Sequence, residues 1–172
     1  MSEAESINEL NADLFQAEAV ERLADPREIR RKAMDYLARR EYGRDELVGK
    51  LERAGFDHDI VAVEVRRLTE EGLQSDHRYA GSFVQSRISQ GKGPVRICQE
   101  LKERGLRPSA IEDALAEVGQ DWFELARHVR TRKFGDALPG DFTEKARQMR
   151  FLQYRGFEAE QIQAAVRAHG DD

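Results

Sequence analysis

Four histidines and one cysteine are the chain's softest candidate metal ligands, and their spacing argues against a metal centre. His58, His77, His128 and His169 lie far apart, and none stands at i,i+4 from another or from Cys98. A zinc site needs three or four clustered nitrogen or sulfur donors, so no metal and no cofactor is expected. Cys98 follows Ile97 and precedes Leu101 on an apolar face, which suits a small buried hydrophobe better than a nucleophile. Gly91-Lys92-Gly93-Pro94 has the glycines and lysine of a phosphate-cradling loop. It lacks the full Gly-x-x-x-x-Gly-Lys-Ser/Thr pattern, and no strand precedes it. A helix stop, a turn and a proline at the first position of the next helix account for it better. Acid pairs such as Glu70-Glu71 fit solvated helix faces. No catalytic constellation emerges, and no enzyme is expected.

The cations offer more. Arg30-Arg31-Lys32 and Arg39-Arg40 flank one candidate helix, and Arg127, His128, Arg130, Arg132 and Lys133 crowd another. Between 127 and 155 there are eight bases against three acids. Dispersed arginines are explained by helix C-terminal charge preference and by stems that cover apolar surface. Four bases and a histidine within residues 127–133 exceed what capping requires. Such a run attracts phosphate or an acidic protein surface, but nothing in it reads bases.

The elements that position these groups are helices. Gly55, Gly72, Gly91, Gly105, Gly119, Gly135, Gly156 and Gly170 lie 14 to 21 residues apart, each after a segment of helical composition. That is the spacing of helices ending in a left-handed glycine. Asp121–Glu124 and Asp141–Glu144 have the pattern of capping boxes. Period-two alternation is scarce, so no strand is expected.

Registering the chain on Gly55, Gly105 and Gly156 reveals a repeat of 50 to 51 residues. Four residues before the glycine stand Leu51, Leu101 and Leu152, and one after it Phe56, Leu106 and Phe157. Six after it stand Val61, Ile111 and Ile162, and ten after it Val65, Leu115 and Val166, which share one helical face. Each unit is expected to hold three helices, near 27–41, 44–54 and 57–71; 76–90, 94–104 and 109–118; and 121–134, 142–155 and 159–169. The fold class is therefore all-α: three tandem three-helix repeats, at 26–73, 74–119 and 120–170, stacked into an elongated curved array. Residues 1–25 form an acidic arm, partly helical or disordered, with seven acids and one base. The net charge of −5 thus leaves residues 26–172 at +1. One cysteine excludes an intramolecular disulfide, no apolar run is long enough to span a membrane, and no signal-peptide pattern opens the chain. A cytoplasmic protein is expected.

The second unit resembles the hallmark stretch of the RecX recombination regulators. The stretch comprises Ser75-Asp76-His77-Arg78-Tyr79-Ala80, Phe83-Val84-Gln85-Ser86-Arg87, Gly91-Lys92-Gly93-Pro94-Val95-Arg96-Ile97, Glu100-Leu101 and Arg104-Gly105-Leu106. Arg40-Glu41-Tyr42-Gly43-Arg44 with Glu46-Leu47 and Lys50-Leu51 resembles the family's first unit, and Phe151-Leu152 with Arg155-Gly156-Phe157 its third. Gly43 stands where the family usually has Ser, which removes a side-chain cap at a cost of a few tenths of a kcal/mol. The resemblance covers about residues 26–168. It implies a protein that binds RecA and the RecA–single-stranded DNA filament and inhibits strand exchange, filament growth and ATP hydrolysis in DNA repair and recombination. The residues it carries over as contacts are Arg40, Tyr42 and Arg44, then Arg78, Tyr79, Arg87, Lys92 and Arg96. Tyr42 and Tyr79 suit packing equally well. Arg127, Arg130, Arg132 and Lys133 join this set through their charge. A monomer without membrane attachment is expected. The competing expectation is a direct DNA-binding helical repeat protein acting through its basic patches.

Overall fold

The computed structural model describes residues 3–167, with side chains from residue 7 onward; His169 and Gly170 lie outside the described residues. These residues form ten helices and no strand. They are α1 (Glu3–Leu23), α2 (Pro26–Leu37), α3 (Arg44–Arg53), α4 (His58–Glu70), α5 (Asp76–Ser89), α6 (Pro94–Glu103), α7 (Pro108–Glu117), α8 (Trp122–Phe134), α9 (Phe142–Arg155) and α10 (Ala159–Ala165). Gly55, Gly72, Gly91, Gly105, Gly119, Gly135 and Gly156 all take the positive φ that lets a helix stop without strain.

The chain forms two compact units, Met1–Ser75 and Asp76–Asp172. In the first, α2, α3 and α4 pack on one another around Ile29, Ala33, Leu47, Leu51, Val61, Val65 and Leu68, none of which keeps any exposed surface. α2 stops at Leu37, short of the residue 41 that its composition suggests. Tyr42 is buried and Gly43 is an extended N-cap, so the chain must leave the helix beforehand, through a turn closed by Arg39 N–H donating to the Tyr36 carbonyl. The arm is a helix, α1, attached at its end. Leu23 packs beside Gly55, its carbonyl accepts the Asp57 N–H at 3.0 Å, and Asp25 caps α2.

The second unit holds two cores. Tyr79, Val84, Ile97, Leu101 and Ile111 fill the first, between α5, α6 and α7. Ala126, Val129, Leu152, Phe157 and Ile162 fill the next, between α8, α9 and α10. Leu51, Leu101 and Leu152, the leucines of the 50-residue repeat, are each wholly buried. Asp121 and Asp141 do cap α8 and α9, accepting from the N–H of Glu124 and Glu144. The two glutamates, however, turn to Arg127 and to Arg147 and Gln148. The full reciprocal capping box forms instead between Glu158 and Gln161 at the start of α10.

Helices α9 and α6 meet end to end. The N–H groups of Gly93 and Val95 donate to the carbonyls of Arg155 and Gly156, at 2.8 and 2.9 Å. Donors orphaned at the start of α6 thereby satisfy acceptors orphaned at the end of α9. Pro94, at the first position of α6, has no N–H to leave unpaired. A Cβ on Gly93 would overlap the Gly156 carbonyl, and one on Gly156 would overlap Arg96. The glycines of Gly91-Lys92-Gly93-Pro94 thus serve close backbone approach and helix termination.

Candidate functional site

In the first unit, α3's entry turn presents the candidate cations around an aromatic base. Tyr42 is 5% exposed, and its carbonyl accepts from the buried Gln74 amide at 3.1 Å. The Arg40 guanidinium lies 3.6 Å from the Tyr42 ring centre and reaches the Glu46 carboxylate at 2.6 Å. Lys50 stands over Tyr36 and Tyr42, and Lys32 over Tyr36. Arg44, the first residue of α3, is exposed. Tyr36, outside the first-unit motif, belongs to this patch together with the motif's Glu46 and Lys50. Tyr36 lies on α2 and Lys50 on α3, so no helical periodicity relates the two.

In the second unit the family's cations converge on one acid. Arg87 Nε, Lys92 Nζ and Arg96 Nε lie 2.6, 2.8 and 3.2 Å from the Glu100 carboxylate. The Glu100, Arg87 and Lys92 side chains are each less than a fifth exposed. Burial pushes the Glu100 carboxyl up, but hydrogen bonds from the three cations outweigh it and hold the group down at about 2. Three positive charges around one negative leave the cluster with a surplus of two. Arg87 also lies 4.1 Å from the Phe83 ring centre, and Arg96 Nη1 donates to the Tyr154 carbonyl at 3.2 Å, crossing to α9. Arg78 is exposed at the start of α5, whereas Tyr79 is 4% exposed and packs near Phe83 in the core.

The α8 run divides in two. Arg130 is 4% exposed and is an interior residue, against its expected place on a contact surface. Its guanidinium donates to the Ala137 and Asp136 carbonyls and to Gln148 Oε1, tying down the loop after α8. Tyr42 and Tyr79 are buried as well: Arg40 and Lys50 stand over the Tyr42 ring, whereas Tyr79 packs near Phe83. Arg127 is half-buried and pairs with Glu124 at 3.3 Å. Arg132 and Lys133 are exposed, and among the described residues no carboxylate pairs with either. They edge a cleft of about 610 Å³ between the end of α5, α8 and α9, where Ile88, Leu125, Val129 and Phe151 supply apolar surface and Arg155 a third cation.

Among the described residues no three His, Cys, Asp or Glu side chains cluster to hold a metal ion. No described helix is long and apolar enough to cross a membrane. Cys98 is half-buried against the core of the second repeat.

Comparison with known proteins matches this arrangement segment by segment. Three family models align in chain order: RecX first three-helix domain over residues 30–68, second over 75–115 and third over 120–166. The chain is 48% identical over 150 residues to the regulatory protein RecX of Pseudomonas savastanoi pv. phaseolicola, covering 87% of this chain and 97% of that one. It is 46% identical over 144 residues to the regulatory protein RecX of Halorhodospira halophila, covering 84% and 89%. A crystal structure of a regulatory protein RecX superposes with a TM-score of 0.67 at 25% identity, covering 81% of this chain and 72% of the other. RecX from Lactobacillus salivarius superposes with a TM-score of 0.69 at 22% identity over 82% and 94%, a likeness of fold alone.

Proposed function

This chain belongs to the RecX family of regulatory proteins, and on that premise we propose that it binds the RecA recombinase and its filament on single-stranded DNA, suppressing ATP hydrolysis and strand exchange. The observation that carries the reading is the ordered match of all three three-helix domains to a family of regulators. The geometry supports it physically. Each repeat turns cations outward: Arg40 and Arg44 in the first, Arg78 in the second, Arg132 and Lys133 in the third, and the partly buried cluster around Glu100 adds a surplus of positive charge. Several weak contacts on one chain combine into avidity for a repetitive polymer, and a ligand bridging protomers opposes remodelling of the filament. The acting form is a cytoplasmic monomer, and regulation proceeds by binding, without a reaction of its own.

The test is to add the protein to preformed RecA filaments on single-stranded DNA and follow ATP hydrolysis. Suppression at or below stoichiometric protein is expected, and no effect at several-fold excess of folded protein would sink the proposal. Reversing Arg127, Arg132 and Lys133 to Glu should weaken suppression without loss of helicity. Arg130 is left intact because its reversal would bury an unsatisfied charge.

Direct DNA binding is the second reading, favoured by the exposed Arg132 and Lys133, which edge the cleft with Arg155. Tight binding to DNA without RecA, with a steep salt dependence, would support it over the first.

A further inference from the structure

Helix α1 is 21 residues long and is anchored to its unit through its last turn. Its large apolar side chains Ile7, Leu10, Leu14, Phe15 and Val20 are all more than half exposed. Most helical stability in proteins comes from packing an apolar face against a partner, and apolar side chains exposed together mark an interaction site. Ile7, Leu10 and Leu14 fall at i, i+3 and i+7, on one face. Glu18 and Glu21 continue that face over the next two turns, so one stripe is apolar at its start and anionic at its end.

The cleft of the second unit has the inverse chemistry. Ile88, Val129 and Phe151 give it an apolar floor, while Arg132, Lys133 and Arg155 edge it with cations, the first two without a carboxylate partner among the described residues. The volume of about 610 Å³ suits a few apolar side chains of a helix laid into a groove. We propose that this cleft receives helix α1 of a second copy of the chain, with Ile7, Leu10 and Leu14 on the floor and Glu18 and Glu21 against Arg132, Lys133 and Arg155. Charge complementarity selects this occupant: the cleft edge is basic, and residues 1–25 carry seven acids against one base. The contact is a reversible side equilibrium of the monomer, strongest at low salt, and it occupies cations that a polyanion would otherwise meet.

Sedimentation velocity over a wide concentration range tests this directly. At low salt the full chain should show a mass rising above the monomer with concentration, returning to the monomer at high salt. Removing residues 1–22, or making Arg132→Glu with Lys133→Glu, should each lower the association constant by roughly tenfold or more. Circular dichroism confirms the fold of each variant. Mixing the Arg132→Glu/Lys133→Glu protein with a Glu18→Lys/Glu21→Lys protein should restore association, because every arm then meets a cleft of opposite charge. A full chain that stays monomeric at every concentration overturns the proposal. So does a truncated chain that still associates, or a charge-swapped pair that fails to recover.

Discussion

Glu100 illustrates how a single residue organises what composition shows only as scattered charge. Arg87, Lys92 and Arg96 are legible in the sequence as cations of a family motif, but their common partner is not. The separations of thirteen, eight and four residues bridge a helix, a turn and the next helix, so no single periodicity relates them. Arg130 differs. It follows Ala126 by four residues, which places it on the buried side of α8, a phase that the charge density of residues 127–133 obscures. The consequence for Glu100 is quantitative. Its carboxyl is held near 2 against an ordinary 4.5, so the native state binds its proton less readily than the unfolded chain. The stabilisation is fully present above pH 4.5 and disappears as the pH falls toward 2, amounting to roughly 3 kcal/mol at most. Glu100→Gln should therefore cost about 2–3 kcal/mol at neutral pH, since three cations lose their shared anion. The variant should also lack part of the wild-type loss of stability between pH 4.5 and 2. Urea denaturation at pH 7 and pH 3 checks both, and equal destabilisation at the two pH values would mean that the cluster is not electrostatic in origin.

At the scale of elements, the helices, their glycine stops and the wholly buried repeat leucines were legible, because each rests on local spacing. The end of α2 was not, because the burial of Tyr42, a tertiary demand, sets it. The seam between α9 and α6 was not legible either: backbone donors and acceptors meet there, and backbone groups leave no mark in side-chain pattern. Its one sequence trace is the paired glycine and proline, Gly93-Pro94. Gly93 has an ordinary negative φ of −84°, so an alanine there suffers from lost space and not from backbone strain. Gly119 is the natural control, with a φ of +59° and open space around its Cα. Gly93→Ala should force the helix ends apart and cost about 1–3 kcal/mol, in the range of overpacked interiors. Gly119→Ala should cost about 1 kcal/mol through conformation alone. Thermal unfolding compares them, and hydrogen exchange at Val95, whose N–H crosses the seam, should accelerate only in the Gly93 variant. Unchanged exchange at Val95 would show that the seam tolerates the extra carbon.

For the molecule as a whole, charge is divided more sharply than its net value suggests. Residues 1–22 hold six acids and one base, a charge of −5 that equals the net charge of the chain, so residues 23–172 are neutral in sum. This division was legible by counting alone. Where the arm ends structurally was not, since Leu23, Ala24 and Asp25 belong to it by composition but to the folded unit by contact. Leu23 shields Gly55 and its carbonyl receives the Asp57 N–H, while Asp25 caps α2 at Arg27 N–H. A truncation that is neutral for folding must therefore stop at Arg22. Removing residues 1–22 should shift the melting temperature by no more than about 1–2 °C, the equivalent of a surface change in a protein of this size. The same truncation removes a rod of negative charge about 30 Å long. Its repulsion of a polyanion extends across the neighbouring surface only when the Debye length is comparable, about 30 Å at 0.01 M salt but about 8 Å at physiological ionic strength. Affinity for single-stranded DNA, read by fluorescence anisotropy, should rise several-fold at low salt and converge on the full-length value near physiological salt. A gain that persists undiminished at high salt would mean that the arm covers the DNA-contacting surface by packing, and a large fall in melting temperature would mean that its exposed apolar face is buried against the chain's own units in solution.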